Sequence, residues 1–472
     1  MTLQNPISLQ AKTRPIALKP HKLGPTSLRF NLKNLLPLAV LAAAFPCAAE
    51  AGMRALPDPL KPSQYHAADP AQAELGQLLF YDKILSGNRN ISCGTCHHHR
   101  FGSADGLSLG IGEGGKGVGP DRTAGTGDDR IKQRVPRNAP GLWNLGHKSV
   151  RVLFHDGRIS NNPVYGNGYK SPAKKHLPQG LSSVLAAQAL FPMTSDAEMA
   201  GTPDENEVAA AVHDRIDKGW PILTARVAQN ETYAQMFSAA FSDVDAPEDI
   251  TIVHVAEALS AFMNAEWRSG TSDFDRYLAG DAAAMSTEAQ KGMQLFYGKA
   301  RCNDCHTGQL FTDDEFHALA IPPIGPGRPL PNDRVARDNG RMEQTRRIED
   351  AYRFRTPPLR NVAVTGPYGH NGAFPTLEAM IRHHCDPDKS LASWTTEQAG
   401  LPEVPWLAKA DFVTLQDKIE TARQRRHVDI LDRPLEDNEI EAIVAFLESL
   451  TDSRTRPMGV PKRVPSGLPV DQ

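Results

Sequence analysis

At 472 residues the chain is too long for one hydrophobic core, so two domains or more are expected. Its 52 basic and 55 acidic side chains nearly cancel, which leaves no electrostatic signal for nucleic acid or an anionic membrane surface. With 37 Gly and 37 Pro, many irregular connections are expected.

The first fifty residues read as a Sec-type export signal. Lys19, Lys22, Arg29 and Lys33 precede an apolar run, Leu35 to Phe45, and Ala49-Glu50-Ala51 offers a small-x-small cleavage site. The run is too short for a comfortable membrane span, so no stable span is expected after cleavage; an uncleaved anchor is the alternative. Residues 1–51 are therefore set aside as signal, and Cys47 would leave with them.

Apolar residues at helical spacing then predict a helix over Ala71–Lys83. It runs into Cys93-Gly-Thr-Cys96-His97. Gly106–Arg137 is rich in Gly and Asp and reads as a long loop. Further helices are expected over Glu205–Ile216, Thr251–Trp267 and Thr287–Lys299, the last leading into Cys302-Asn-Asp-Cys305-His306. Asp437 and the stripe Ile440, Ile443, Val444, Leu447 predict a closing helix over Glu436–Leu450, and the Pro-punctuated tail 454–472 is expected to be extended. No stretch alternates convincingly as a strand. The fold class is mainly α, with long irregular loops and little β structure.

Cys-x-x-Cys-His is the attachment signal of a c-type haem. The two thiols add across the porphyrin vinyl groups, and the His reaches the iron. Random placement of six Cys and 16 His would produce one such pentapeptide in roughly 0.3% of shuffled chains, and here there are two. A zinc site would need four clustered ligands, and a thioredoxin-like pair would lack the His. Two covalent haems c use Cys93, Cys96, Cys302 and Cys305, with His97 and His306 on the irons. Only Cys385 is then left, so no disulfide framework can form. Both motifs follow a Gly-x-x-x-Phe helix (Gly76 to Phe80, Gly292 to Phe296), which suggests duplication of one haem-binding unit. The expected division is 52–270 and 271–453, two cytochrome c-like haem domains.

From about Ala71 to Leu450 the chain resembles the bacterial di-haem cytochrome c peroxidases and the related MauG-type enzymes. Beyond the haem motifs, the resemblance is carried by Arg137-Asn-Ala-Pro140, Phe154-His-Asp-Gly-Arg158, Gln188 with Pro192 and Glu198-Met199, Phe274-Asp-Arg-Tyr-Leu-Ala-Gly280 and the segment Leu359 to Tyr368. It implies that peroxide reacts at the His97 haem and that electrons enter through the His306 haem. It assigns the distal pocket to Gln188, Pro192 and Glu198. The chemistry asks for such a set: splitting peroxide requires a group that takes a proton from one oxygen and returns it to the other. Glu198 can do this if burial raises its pKa, and Gln188 can orient the peroxide. The resemblance also implies a calcium ion between the haems, held by the Asn138 side chain and the carbonyls of Thr365 and Pro367, a donor set that suits that cation.

Three positions depart from the family pattern. Glu113 stands where many members carry a His that blocks the resting peroxidatic iron, which implies an open site. His98 and His99 are expected at the surface or beside the propionates. His155 stands where a bridging Trp lies between the haems, and imidazole is far harder to oxidise than indole, so Trp143 or direct tunnelling is left as the route. Counting fourteen residues from His370 reaches His384, where members carry Met or Tyr as the far ligand of the second haem. His383 and Met380 are the alternatives. Ligation by His306 and His384 implies a lower potential than His/Met. Cys385 reads as a small apolar residue, with thiolate ligation as its alternative.

The resemblance thus implies an exported, periplasmic peroxidase that reduces hydrogen peroxide with electrons from a small cytochrome c or cupredoxin. It is also compatible with a homodimer. A MauG-like enzyme oxidising aromatic side chains of a partner protein is the alternative. A pure di-haem electron carrier is the third reading, and the distal set argues against it.

Overall fold

The computed structural model describes residues 54–127, 130–330, 333, 335, 337–453 and 456–472; the export signal expected at the N-terminus lies outside them. Among the described residues the fold is helix-dominated, with two small antiparallel sheets.

Its organising unit is a crossed helix pair that occurs twice. In the first, Pro70–Tyr81 packs on Ile252–Glu266. Asp69 starts the former by accepting the amides of Ala71 and Gln72, with Pro70 at the first helical position. In the second, Thr287–Tyr297, capped by Ser286, packs on Asp437–Glu448. Glycine sits at each crossing because nothing larger fits: a Cβ on Gly76 would lie 1.9 Å from Ala258 O, and one on Gly292 1.8 Å from Ala442 O. Four residues after each glycine a phenylalanine meets its counterpart. Phe80 lies 5.2 Å from Phe262, and Phe296 lies 5.2 Å from Phe446, between ring centroids. The repeated Gly-x-x-x-Phe pattern is thus a repeated packing solution.

Each pair nucleates its own apolar cluster. One is built from residues 75–267 and includes Val464 of the tail; the other spans residues 274–450. The expected boundary near residue 270 falls between them, within one unit running from Ala51 to Gln472.

The expected long loop is irregular but not loose. Arg122, buried, donates to the carbonyls of Ile111, Gly112 and Gly117 and draws the loop around itself. The tail carries no helix or strand over its described residues, yet it is docked on the first half. Asp471 pairs with Lys83 at 2.7 Å and accepts from Thr95 at 2.6 Å, and Ser466 donates to Asp82 at 2.6 Å.

Candidate active site

Cys93–Cys96 is a single helical turn ending at His97. Ser92 and Thr95 tie its start together, the Ser92 amide donating to Thr95 Oγ1 at 3.0 Å. His97 Nδ1 lies 3.0 Å from Ser103 O. A carbonyl only accepts, so Nδ1 carries the proton and Nε2 is left bare, the form in which imidazole binds a metal. His306 repeats this with Phe311 O at 3.1 Å, and His384 with Met380 O at 2.9 Å. Burial pushes the His97, His306 and His384 imidazoles down, His306 to about 4 with His384 adding to the effect, so all three stay neutral.

One cavity of about 690 Å³ holds both ends of the site. Cys96, His97, Gln188, Pro192 and Glu198 line it, and so do Cys302, Cys305, His306 and His384; the Glu198 carboxylate is close enough to act on the Cys96 thiol, while the His306 and His384 rings face each other. Burial pushes the Cys93, Cys96 and Cys302 thiols up to about 12 and Cys305 up to about 11. Reactive Cys-x-x-Cys pairs have lowered values instead. Neutral imidazoles, unpaired cysteines and a shared apolar-walled cavity fit two covalent haems.

Helix phase separates His384 and Met380 from His383. On Leu377–Cys385, residues Leu377, Met380, Ile381 and His384 share one face and line the cavity. His383 points the other way: it is buried, its Nε2 donates to Leu319 O at 2.7 Å, and its ring packs on Phe374. The His306 and His384 rings are 6.4 Å apart between centroids. A gap of that size would let the two imidazoles hold one iron between them. Cys385 also borders the cavity, and burial raises its thiol.

At the other end Gln188 lies on Val184–Ala189, Pro192 opens a tight turn, and Glu198 sits in a single π-helical turn, Asp196–Ala200. Such turns often occur at functional sites. Ser195 O accepts the amides of Glu198, Met199 and Ala200 at 3.2, 2.9 and 2.8 Å. Burial pushes the Glu198 carboxyl up, opposed by Arg158 and Arg328. The loop carrying Glu113 braces this turn from behind. A Cβ on Gly112 would lie 1.9 Å from Ala197 O, and the Glu113 amide donates to the same oxygen at 3.3 Å. The Glu113 side chain is bound by Asn88 and Asn90 and is not among the cavity-lining groups.

Between the two ends, a tight corner after the strand Val152–Leu153 puts His155 into the wall, where Nε2 donates to Asn138 O at 3.1 Å. Burial and Arg137 push this imidazole down to about 4. Beside it His370 stacks on Phe354 with centroids 3.5 Å apart, and Arg137 is clamped by Asp156 and Asp338, each at 2.8 Å. Asn138, Thr365 and Pro367 line the same cavity. Asn138 Nδ2 donates to Leu107 O at 2.7 Å, which leaves Oδ1 for a cation or a water.

Sequence reasoning placed His98 and His99 at the surface or beside the propionates, and the structure corrects the first of these. His98 is buried, and His99 is bound between Tyr81 and Glu266. It also missed Asp105, a cavity-lining carboxyl that burial pushes up to about 7 against the pull of Arg122. Nothing in its sequence neighbourhood marks Asp105, because its burial comes from elements distant in the chain.

The family profile described as di-haem cytochrome c peroxidase matches residues 70–283. The methylamine utilization protein MauG of Paracoccus denitrificans is 30% identical over 423 residues, covering 84% of this chain and 92% of that protein. Cytochrome-c peroxidase IdrP1 of Denitromonas iodatirespirans is 28% identical, covering 73% of this chain and 82% of its own length. In fold, the chain matches the solved structure of the diheme peroxidase BthA from Burkholderia thailandensis with a TM-score of 0.54 at 22% identity, covering 90% of this chain and 96% of that one. The chain therefore belongs to the di-haem cytochrome c peroxidase and MauG family, oxidoreductases with two haems c.

Proposed function

We propose that the protein is an exported di-haem peroxidase that reduces hydrogen peroxide at the His97 end of the cavity, with electrons entering at the His306 and His384 end. The observation that carries this reading is that Gln188, Pro192 and Glu198 line the same cavity as His97, with Glu198 close enough to act on the Cys96 thiol, while Glu113 is tied away from it. Haem bound at the two motifs supplies iron that takes up peroxide at one end and passes electrons at the other. Glu198 takes the proton from the near oxygen of the peroxide and hands it to the leaving oxygen. Gln188 holds the peroxide in register, and Arg158 and Arg328 keep enough positive charge nearby for Glu198 to ionise. Ser103 O and Phe311 O hold the two proximal imidazoles in the ligand tautomer.

The repeated helix pair and its separate apolar clusters support haem domains over 52–270 and 271–453. Asn138, Thr365 and Pro367 are proposed to hold calcium between them. The electron donor is proposed to be a small cytochrome c or cupredoxin, met in the periplasm. Among the described residues no helix is long and apolar enough to cross a membrane.

The open His97 end also favours a second reading, in which oxidising equivalents go to an aromatic side chain of a partner protein. His155 in the bridging wall weighs against the rapid charge sharing this would use. Steady-state peroxide consumption coupled to oxidation of a reduced small cytochrome c is the expected result. Peroxide consumption that proceeds only while a partner's aromatic side chain is modified would select the second reading.

A further inference from the structure

We propose that Tyr81, hydrogen-bonded to His99 and through it to Glu266, is a proton-coupled one-electron donor beside the first haem site. The proposal rests on the reading of that site as peroxide-reactive.

Tyr81 ends the Pro70–Tyr81 helix and is 1% exposed. Its ring lies on Gly94, where a Cβ would come within 2.3 Å of Tyr81 Cδ1 and Cε1. Gly94 stands between the two attachment cysteines, so the phenol is packed on the haem-binding turn itself. Tyr81 Oη is hydrogen-bonded to His99 Nδ1, and His99 Nε2 lies 2.7 Å from Glu266 Oε1. A carboxylate accepts, so Nε2 is the donor and Nδ1 is left to take the phenolic proton. Glu266 is itself fully buried and fixed by the tail, accepting the Met458 amide at 2.9 Å and the Gly459 amide at 3.2 Å.

An oxidised phenol loses its proton at once, so a buried tyrosine is a usable electron donor only where an acceptor is already in place. Here it is. The competing rings are less suited. His155 in the wall is an imidazole, and Trp143, which borders the cavity, donates its indole N–H to Gly102 O at 2.9 Å, a carbonyl too weakly basic to take the proton. Phe80 and Phe262, which also pack on Tyr81, are inert to oxidation; His98 meets it edge-on, and Trp267 lies against His99 rather than against the haem-binding turn.

The step balances within the molecule and its peroxide substrate. One electron leaves Tyr81 for the peroxide-oxidised haem, the phenolic proton crosses to His99 Nδ1, and Glu266 offsets the new imidazolium charge. When the donor protein delivers an electron, Tyr81 is reduced and His99 returns the proton. Peroxide removes two electrons and a small redox protein supplies one at a time, so Tyr81 would hold the second oxidising equivalent in the interval.

The test is freeze-quench electron paramagnetic resonance of the haem-loaded protein, mixed with one equivalent of hydrogen peroxide and no donor. The expected result is an organic-radical signal that narrows when the protein is grown on ring-deuterated tyrosine and is lost in Tyr81→Phe. If Tyr81→Phe does not load haem, His99→Gln carries the test, since an altered hydrogen bond shifts the low-field component of a Tyr81 radical and leaves any other tyrosine unmoved. Peroxide consumed with no radical in the unsubstituted protein, or with a signal unchanged in either variant, overturns the relay and leaves the peroxide site standing. Peroxide not consumed at all overturns the site reading and the relay together.

Discussion

Asn90 donates its side-chain amide to Glu113 Oε1 at 2.6 Å, and Asn88 donates to the same oxygen at 2.8 Å. These bonds hold Glu113 on the back of the loop that braces the Glu198 turn, so the position where the resemblance would put a blocking His serves here as a support. Replacing Glu113 with Ala leaves both amides without that acceptor. The expected cost is about 1–3 kcal/mol of stability, read from chemical denaturation, with the resting haem spectrum unchanged. A spectrum that switches to low spin would show that the bonds to Glu113, and not the loop alone, had been keeping the site open.

Glu198 must be ionised to take a proton, and burial raises its carboxyl above the ordinary 4.5. The protonated, inactive form therefore persists to higher pH than for an exposed glutamate, and the rate of peroxide consumption rises with pH through that raised value. Replacement by Gln removes the proton acceptor. The rate is expected to fall by roughly a hundredfold to ten-thousandfold, and the acidic limb of the pH–rate profile should disappear. An unchanged limb in Glu198→Gln would assign it to another group, with Asp105 the next candidate.

The two helix crossings make a paired prediction. Gly76→Ala and Gly292→Ala each force a methyl group into a carbonyl oxygen less than 2 Å away. Each should cost about 1–3 kcal/mol, as over-packing does in other cores, measured by thermal unfolding. Similar losses at both positions are expected if the crossings are equivalent; tolerance at one alone would contradict the repeat.

Helix phase separates the two neighbouring histidines. His384→Met should raise the reduction potential of the second haem, because a thioether stabilises ferric iron less than imidazole does. His383→Ala should leave that potential in place and lower stability, since it removes a buried ring and its bond to Leu319 O. Potentiometric titration of both variants reads the difference directly, and a potential that moves only in His383→Ala would reverse the assignment.

Local signals were legible in the sequence. The Cys-x-x-Cys-His runs, the helices that precede them and the closing helix follow from spacing and apolar period, and the helices observed end within a few residues of those expected. The position of His384 came from counting within a resemblance, and the phase of its helix puts that residue, together with Met380, on the cavity wall. What stayed hidden depends on long-range packing. The tail has no periodicity, yet Asp471 reaches Lys83 and Thr95 across the whole chain. His99 reads as a polar surface residue until Glu266, from a helix far along the sequence, is brought beside it. The burial of Asp105 and the clamping of Arg137 between two aspartates have the same origin.

The two sites are proposed to be unequal, one open at His97 under Glu198 and one closed between His306 and His384. Resting-state electron paramagnetic resonance of the ferric, haem-loaded protein tests this most directly. One high-spin signal from a five-coordinate haem and one low-spin signal typical of two imidazoles are expected; two low-spin signals would contradict the account.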